Sequence, residues 1–318
     1  MNDPLPVHFL TIVVNGRPFV EHHLAVFTQL PFEWHWHVVE GVADLKHDTA
    51  WSKKLGGCIS SEIHARGRSL DGTSEYLDEI ARQFPNNVTV YRKPLDSLWD
   101  GKLEMVNAPL ANIKSECLLW QVDADELWTV RQLTAARDMF MRDAAKTAAL
   151  YLCHYFVGEQ LVVTTRDTYG NNTGYEWIRT WRYTPGCRWV AHEPPRLCRP
   201  AADGTWTDLA TINPFRHAET EAAGLVFQHF AYATESQLSF KEVYYGYAGA
   251  VKQWQHLQTV RQLPARLAEY FDWVKDGALV DTAESQGVVP MAQKDPVGGW
   301  KFSAVNDLAK AKIPRVNN

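Results

Sequence analysis

The chain has 318 residues, 46% of them hydrophobic, and a net charge of −5. That is enough apolar material for one large or two small packed domains, which sets disorder aside, and it provides no overall basic field to hold a nucleic-acid backbone. The five cysteines are odd in number and lack metal-site spacing, the N-terminal Met-Asn-Asp-Pro-Leu-Pro has no leader character, and no run is long and apolar enough to span a membrane, so a cytoplasmic protein with reduced thiols is expected.

Taken in chain order, 8–14 reads as a strand closed by Asn15-Gly16-Arg17-Pro18. Phe19, His23, Val26, Phe27 and Leu30 stand at helical spacing over 18–30, and Pro31 stops the helix. A second strand follows at 34–40, a helix at 74–84, a third strand at 87–91 and a helix at 102–114, kinked or restarted at Pro109. The run 118–122 is the fourth strand. Alternation of this kind is the signature of an α/β domain with a mainly parallel sheet flanked by helices. Beyond Trp128 the pattern predicts a helix at 133–146 and short strands at 151–157, 160–165, 177–183 and 188–190, a β-rich half. Residues 201–222 are polar and loop-like, 236–257 and 264–274 read as helices, and periodicity is weak in the last forty or so residues.

The fourth strand runs into Asp123-Ala124-Asp125-Glu126. Paired carboxylates at the end of a buried strand are suited to a hard divalent cation, Mg or Mn, and such a cation is what a nucleotide diphosphate needs to screen its charge. An Asp-x-Asp arises by chance about once in a chain of this length, so its position and its neighbours carry the weight.

The neighbours resemble family 2 glycosyltransferases of the GT-A fold. The matching stretches are Val38-Val39-Glu40-Gly41 at the end of the second strand and Lys102 with Asn107 in the helix before the metal motif. They continue with Arg188-Trp189-Val190-Ala191-His192-Glu193, and with His229-Phe230-Ala231-Tyr232 followed by Lys241. Glu40 stands where relatives more often carry Asp, and Pro194-Pro195 follows the His-Glu pair. The likeness runs over roughly 7–245. It implies a GT-A-like domain over 1–235, with a donor half to about 130 and an acceptor half from 131, and a C-terminal helical extension over 236–318 packed on it. It also implies a hexosyltransferase type of activity with inversion at the anomeric carbon. Asp123, Asp125 and His229 would be metal-site residues, an imidazole favouring Mn. Glu40, Lys102, Asn107 and Asp123 would contact the donor, with a UDP-sugar expected, and the acceptor would be a glycan or another hydroxyl compound. Glu193 is the general-base candidate, held by a stiff His-Glu-Pro-Pro segment, and Glu126 beside the metal motif is its rival.

Arg179, Arg182 and Arg196, flanked by Trp177, Trp181, Trp189 and Tyr183, form the expected acceptor side. His22-His23 and His35-Trp36-His37 read as packed or surface histidines, because neither comes with a metal-site spacing and a supporting acid. The segment 201–224, lying between Glu193 and His229, is read either as a cover that closes on a loaded site or as a surface excursion. Two other functions fit parts of the pattern. A nucleotidyltransferase also uses paired aspartates, although Val14-Asn15-Gly16-Arg17 makes a poor phosphate loop. A non-catalytic carbohydrate-binding protein would use the thirteen tryptophans and twelve tyrosines but has no need of Asp123, Asp125 and His229 together.

Overall fold

The computed structural model describes residues 5–201 and 203–303, so the end of the expected C-terminal extension lies outside the described residues. The first strands are β1 (Val7–Val13) and β2 (Trp34–Glu40), joined through α1 (Val20–Phe27). After α2 (Ala50–Lys54) and α3 (Thr73–Gln83) comes β3 (Val88–Arg92), and after α4 (Lys102–Asn107) comes β4 (Cys117–Gln121). A two-residue strand β5 (Glu126–Leu127) leads into α5 (Val130–Arg142). The second half holds β6 (Ala148–Leu150), β7 (Leu152–Tyr155), β8 (Leu161–Val163) and β9 (Ile178–Tyr183). Then follow β10 (Arg188–His192), β11 (Pro195–Pro200), β12 (Trp206–Asp208), β13 (Pro214–Phe215), α6 (His217–Ala222) and β14 (Val226–His229).

Seven strands form the central sheet in the order β13-β6-β9-β4-β1-β2-β3. Only β9 runs against its neighbours, β4 and β6, while the pairs β1-β2, β1-β4, β2-β3 and β6-β13 are parallel. The expected α/β class, a mainly parallel sheet with flanking helices, is therefore what forms. β1, β2 and β4 are nearly continuous in buried residues because both faces of the sheet are covered. On one face Phe27 of α1 stacks on Phe9 with ring centres 3.9 Å apart, and Trp120 meets Trp128 edge-on. Strand order reverses between β1 and β4, and the crevice at the carboxyl ends of strands at such a switch point is where open α/β sheets bind ligands.

Two smaller sheets matter for the site. β14 pairs with β7 in parallel and with β5 in antiparallel fashion, and β10, β11 and β12 form a meander. Past 235, α7 (Glu235–Phe240), a wide helical turn at Lys241–Tyr245 and α8 (Ala250–Gln258) fulfil the expected helical region. The described chain then departs from it. The helix expected at 264–274 is instead a short strand, Ala265–Arg266, paired with Leu279–Thr282, and a 3-10 turn, Leu267–Glu269. Leu267, Phe271 and Val274 are buried as their helical spacing suggested, but strand pairing after Pro264 overrides it. The helix expected at 102–114 stops at Asn107, where Pro109 enters a 3-10 turn that needs no N–H from it.

The segment 201–224 is corrected most. β12 extends the β10-β11 meander, β13 adds to the edge of the central sheet against β6, and α6 buries His217 and Thr220. A segment with that much sheet pairing is scaffold, not a cover that opens. Among the described residues no helix is long and apolar enough to cross a membrane.

Candidate active site

The Asp-Ala-Asp loop is held from three sides. Val122 N–H donates to the Leu10 carbonyl at 2.9 Å and the Thr11 hydroxyl to the Val122 carbonyl at 2.8 Å, so the chain leaves the sheet at Asp123. His23, on α1, reaches the Ala124 carbonyl through Nε2 at 3.1 Å. Gly16 lies alongside: a methyl group there would meet Val13 Cγ2 at 2.5 Å and Ala124 Cβ at 3.2 Å, so only glycine lets the turn after β1 approach the loop. From below, the register of β14 sets His229 opposite Glu126, and Phe230 N–H donates to the Asp125 carbonyl at 2.9 Å. His229 Nε2 consequently stands 3.3 Å from Asp125 Oδ1. The other Asp125 oxygen accepts from Gln237 Nε2 at 2.9 Å, while Gln237 Oε1 accepts from the Thr234 N–H at 3.0 Å in the capping box that starts α7.

These groups face a cavity of about 500 Å³ at the carboxyl ends of β1, β2 and β4, the switch point of the sheet. Its wall combines Asp123, Asp125 and His229 with three cations, Arg17, Lys102 and Lys241. Lys102 Nζ donates to the Tyr245 hydroxyl at 2.6 Å and pairs with Glu193. Although burial opposes the charge on Lys102, Glu193 holds its pKa well above the ordinary lysine value. Lys241 sits over the rings of Tyr232 and Tyr245 and has no ion-pair partner among the described residues; burial lowers its pKa.

Of the residues read from the sequence, Asp123, Asp125, His229 and Lys102 are brought together. Asp123 is not free: Arg179 Nη2 lies 3.1 Å from Oδ2, and against the effect of burial this guanidinium keeps the carboxyl below its usual range. His229 behaves in the opposite sense, since Asp125 outweighs burial and raises its pKa. A carboxylate oxygen and an imidazole nitrogen 3.3 Å apart on a cavity wall are donors that one divalent cation can share, whereas Asp123 would act through water or a ribose. No group of three or more His, Cys, Asp and Glu side chains among the described residues holds a cation unaided. Substrate oxygens would have to complete the shell, as is common for Mg sites.

Glu126 is not placed for contact with an acceptor. It is fully buried, both carboxylate oxygens accept from Arg179 Nε at 2.8 and 3.0 Å, and burial lifts its pKa to about 7 against the pull of that guanidinium. Glu40 is likewise enclosed, accepting from Arg92 Nε at 2.6 Å, from the Ser69 N–H at 3.2 Å and from the Ser74 hydroxyl. Burial raises the Glu40 pKa, but Ser74 and Arg92 together bring it below the ordinary value. Asn107 ties α4 to β10, its amide donating to the Trp189 carbonyl at 3.1 Å and accepting from the Trp189 N–H at 3.0 Å. Neither Glu40 nor Asn107 is in the cavity wall. Glu193 is one ion pair away from it, a third of its side chain exposed, with Lys102 holding its pKa down in spite of burial.

The expected acceptor side is also corrected. Trp181, Trp189 and Tyr183 are core residues, 0%, 2% and 2% exposed, and Trp177 packs on His229 and Arg179. Arg182 and Arg196 pair with Glu116 and Asp208. His23 is packed, as one of its two sequence readings had it, but its hold on the Asp-Ala-Asp loop, Arg179 as the anchor of two acids, and Gln237 were not anticipated. Only the last had a local signal, the Thr234-x-x-Gln237 capping box.

No protein-family model matches the sequence, and no curated protein is significantly similar to it. Among solved structures, residues 1–349 of S. aureus TarS align over 56% of this chain and 47% of that one, at 13% identity and a TM-score of 0.36. The mannosyltransferase PcManGT from Pyrobaculum calidifontis, in complex with GDP-Man and Mn2+, aligns over 46% and 35%, at 18% identity and a TM-score of 0.33. A 4-diphosphocytidyl-2C-methyl-D-erythritol synthase aligns over 74% and 92%, at 12% identity and a TM-score of 0.33. The chain thus spans about half of the TarS fragment and about a third of the mannosyltransferase. None of the three exceeds a TM-score of 0.36, so the chemistry is taken from this chain's own residues.

Proposed function

We propose that the chain is a metal-dependent glycosyltransferase that moves a sugar, a hexose in the simplest case, from a nucleotide-diphosphate donor to an acceptor hydroxyl with inversion. The observation that carries this reading is the facing pair Asp125 and His229, set beside Lys102 and Lys241 in one switch-point cavity. Carboxylate, imidazole and ammonium groups converging on one space suit a ligand that carries both a cation and a diphosphate. Asp125 and His229 would hold the ion, with the imidazole favouring Mn over Mg, and a bound divalent cation supplies charge that offsets the departing diphosphate. Lys102 and Lys241 add fixed positive charge where negative charge develops. The acceptor hydroxyl attacks the anomeric carbon from the face opposite the leaving group, the bond to the diphosphate breaks, and Glu193 takes the hydroxyl proton. A UDP-sugar is the donor to test first.

The nucleotidyltransferase alternative loses ground at the turn after β1. There the N–H groups of Asn15, Gly16 and Arg17 donate to the side chains of Ser69, Thr73 and Asp71 at 3.1, 3.0 and 2.9 Å, so they are not available to cradle a triphosphate. Thermal shifts with a panel of nucleotide-sugars, each with and without Mn, test the proposal, because a ligand that binds only the native state raises the melting temperature. A shift that needs both Mn and a nucleotide-sugar is expected. No shift with any donor would overturn the reading.

A further inference from the structure

We propose that His192 is the positioning residue of the general base, its Nδ1–H holding Glu193 Oε1 while Gln121 ties the imidazole to the metal loop, an inference that rests on the glycosyltransferase reading of the cavity. His192 ends β10 and is 7% exposed. Its backbone N–H donates to Asp48 Oδ2 at 2.8 Å, which anchors the end of the strand to the 3-10 turn at His47–Thr49. The ring lies between Gln121, the last residue of β4, and Glu193.

The hydrogen-bond pattern selects one tautomer. Gln121 Nε2 lies 3.4 Å from Asp123 Oδ1 and 3.4 Å from His192 Nε2. A carboxylate only accepts, so the amide nitrogen, and not the amide oxygen, faces Asp123. That nitrogen also meets His192 Nε2, which must then be the bare nitrogen of a neutral ring, because a charged ring would set N–H against N–H. The imidazole proton therefore sits on Nδ1. This atom is buried without a hydrogen-bond partner, and Glu193 Oε1 stands 3.8 Å from it.

A buried donor without an acceptor is costly, and 3.8 Å is a short step beyond hydrogen-bond range. Catalytic hydrogen bonds that are long in a free enzyme tighten in the loaded one. Lys102 and His192 both address the same oxygen of Glu193, Oε1, and among the described residues Oε2 has no partner. Lys102 also belongs to the cavity wall, so a bound diphosphate competes for its ammonium and His192 is left as the holder of Oε1. Oε2 then takes the acceptor hydroxyl proton while the hydroxyl oxygen bonds to the anomeric carbon and the bond to the diphosphate breaks. The proton on Nδ1 stays where it is.

Nitrogen NMR of the histidine rings in the whole chain, with the His192 signals identified by their absence from His192→Asn, tests the tautomer. A neutral ring protonated on Nδ1 is expected; one protonated on Nε2, or on both nitrogens, would overturn the proposal. Kinetics test the role, through Mn-dependent release of nucleoside diphosphate from UDP-glucose, UDP-N-acetylglucosamine and GDP-mannose with water as the acceptor, alongside calorimetric titration of UDP with Mn. His192→Ala should lower release about tenfold or more, as a misplaced catalytic group does, with UDP affinity unchanged. His192→Asn, whose amide nitrogen stands where Nδ1 did, should restore much of the rate, whereas His192→Gln, whose amide reaches the Nε2 position, should not. If His192→Ala does not fold, the comparison of Asn with Gln decides. Wild-type rates in these variants, or rescue by Gln and not by Asn, would reduce His192 to a structural tie for Gln121 and leave the donor reading intact. UDP binding with no release from any donor would remove Glu193 as the base and His192 with it. Absence of Mn-dependent UDP binding would instead sink the donor reading, and this inference with it.

Discussion

Glu193 and Glu126 show how environment separates two acids that look equivalent in sequence. Glu126 is enclosed and paired with Arg179, whereas Glu193 is partly exposed and paired with a lysine of the cavity wall. Glu193→Gln should therefore lower turnover about a hundredfold or more, the usual contribution of a general base, while leaving nucleoside diphosphate affinity nearly intact; a loss of affinity without loss of rate would remove Glu193 from that role. Arg179→Met should act on the fold, because it leaves Glu126 buried without a counter-charge. Breaking a buried pair of this kind costs about 3–5 kcal/mol, measurable by urea unfolding, and a variant as stable as wild type would show that Glu126 does not depend on Arg179. At this scale the sequence was informative where chemistry sits in a short motif: Asp123, Asp125, His229 and Lys102 do converge. It was not informative where the partner lies far along the chain. The enclosure of Glu40 is made by Ser69 and Arg92, 29 and 52 residues away, and Asn107 is claimed by the backbone of Trp189, 82 residues on.

At the scale of elements, the strands β1 to β4 were legible from apolar runs bounded by turn residues, and β2 agrees to the residue. The segment 201–224 was not, because β12 and β13 are three- and two-residue strands whose pairing partners, β11 and β6, supply the order that local composition lacks. Its integration into two sheets predicts slow limited proteolysis over 203–224 both with and without Mn and nucleoside diphosphate. Fast cleavage that ligand suppresses would restore the cover. The sheet also carries a pH response. His8 Nδ1 and His37 Nε2 lie 2.8 Å apart across β1 and β2, and protonating both would set two donors against each other. Burial, reinforced by neighbouring imidazoles, pushes His8 to about 4 and His37 to about 2. The unfolded chain takes up these protons near the ordinary histidine value, about 6.5, so between there and about 4 it binds more protons than the folded chain, and stability falls as pH falls through that window. Urea melts from about pH 7.5 to about pH 5 should show the decline, with His37→Gln flattening it. Equal stability across the range would contradict the account.

For the molecule as a whole, the functional reading depends on convergence. The reversal of strand order between β1 and β4 opens the crevice, β14 crosses under it to deliver His229, and the turn after α7 delivers Lys241 and Tyr245. Family resemblance in the sequence anticipated which segments would meet but not that the apparent aromatic acceptor side would be core. Burial of a tryptophan is decided by what packs on it, and composition does not contain that. The central claim is that Asp125 and His229 bind a divalent cation together with a nucleoside diphosphate in this cavity. Calorimetric titration of UDP into the wild-type chain and into Asp125→Asn, each with and without Mn, measures it directly. The account predicts tight binding to wild type only when Mn is present, and loss of the Mn-dependent part in Asp125→Asn with the melting temperature little changed. Mn-dependent UDP binding of equal strength in both proteins would contradict it.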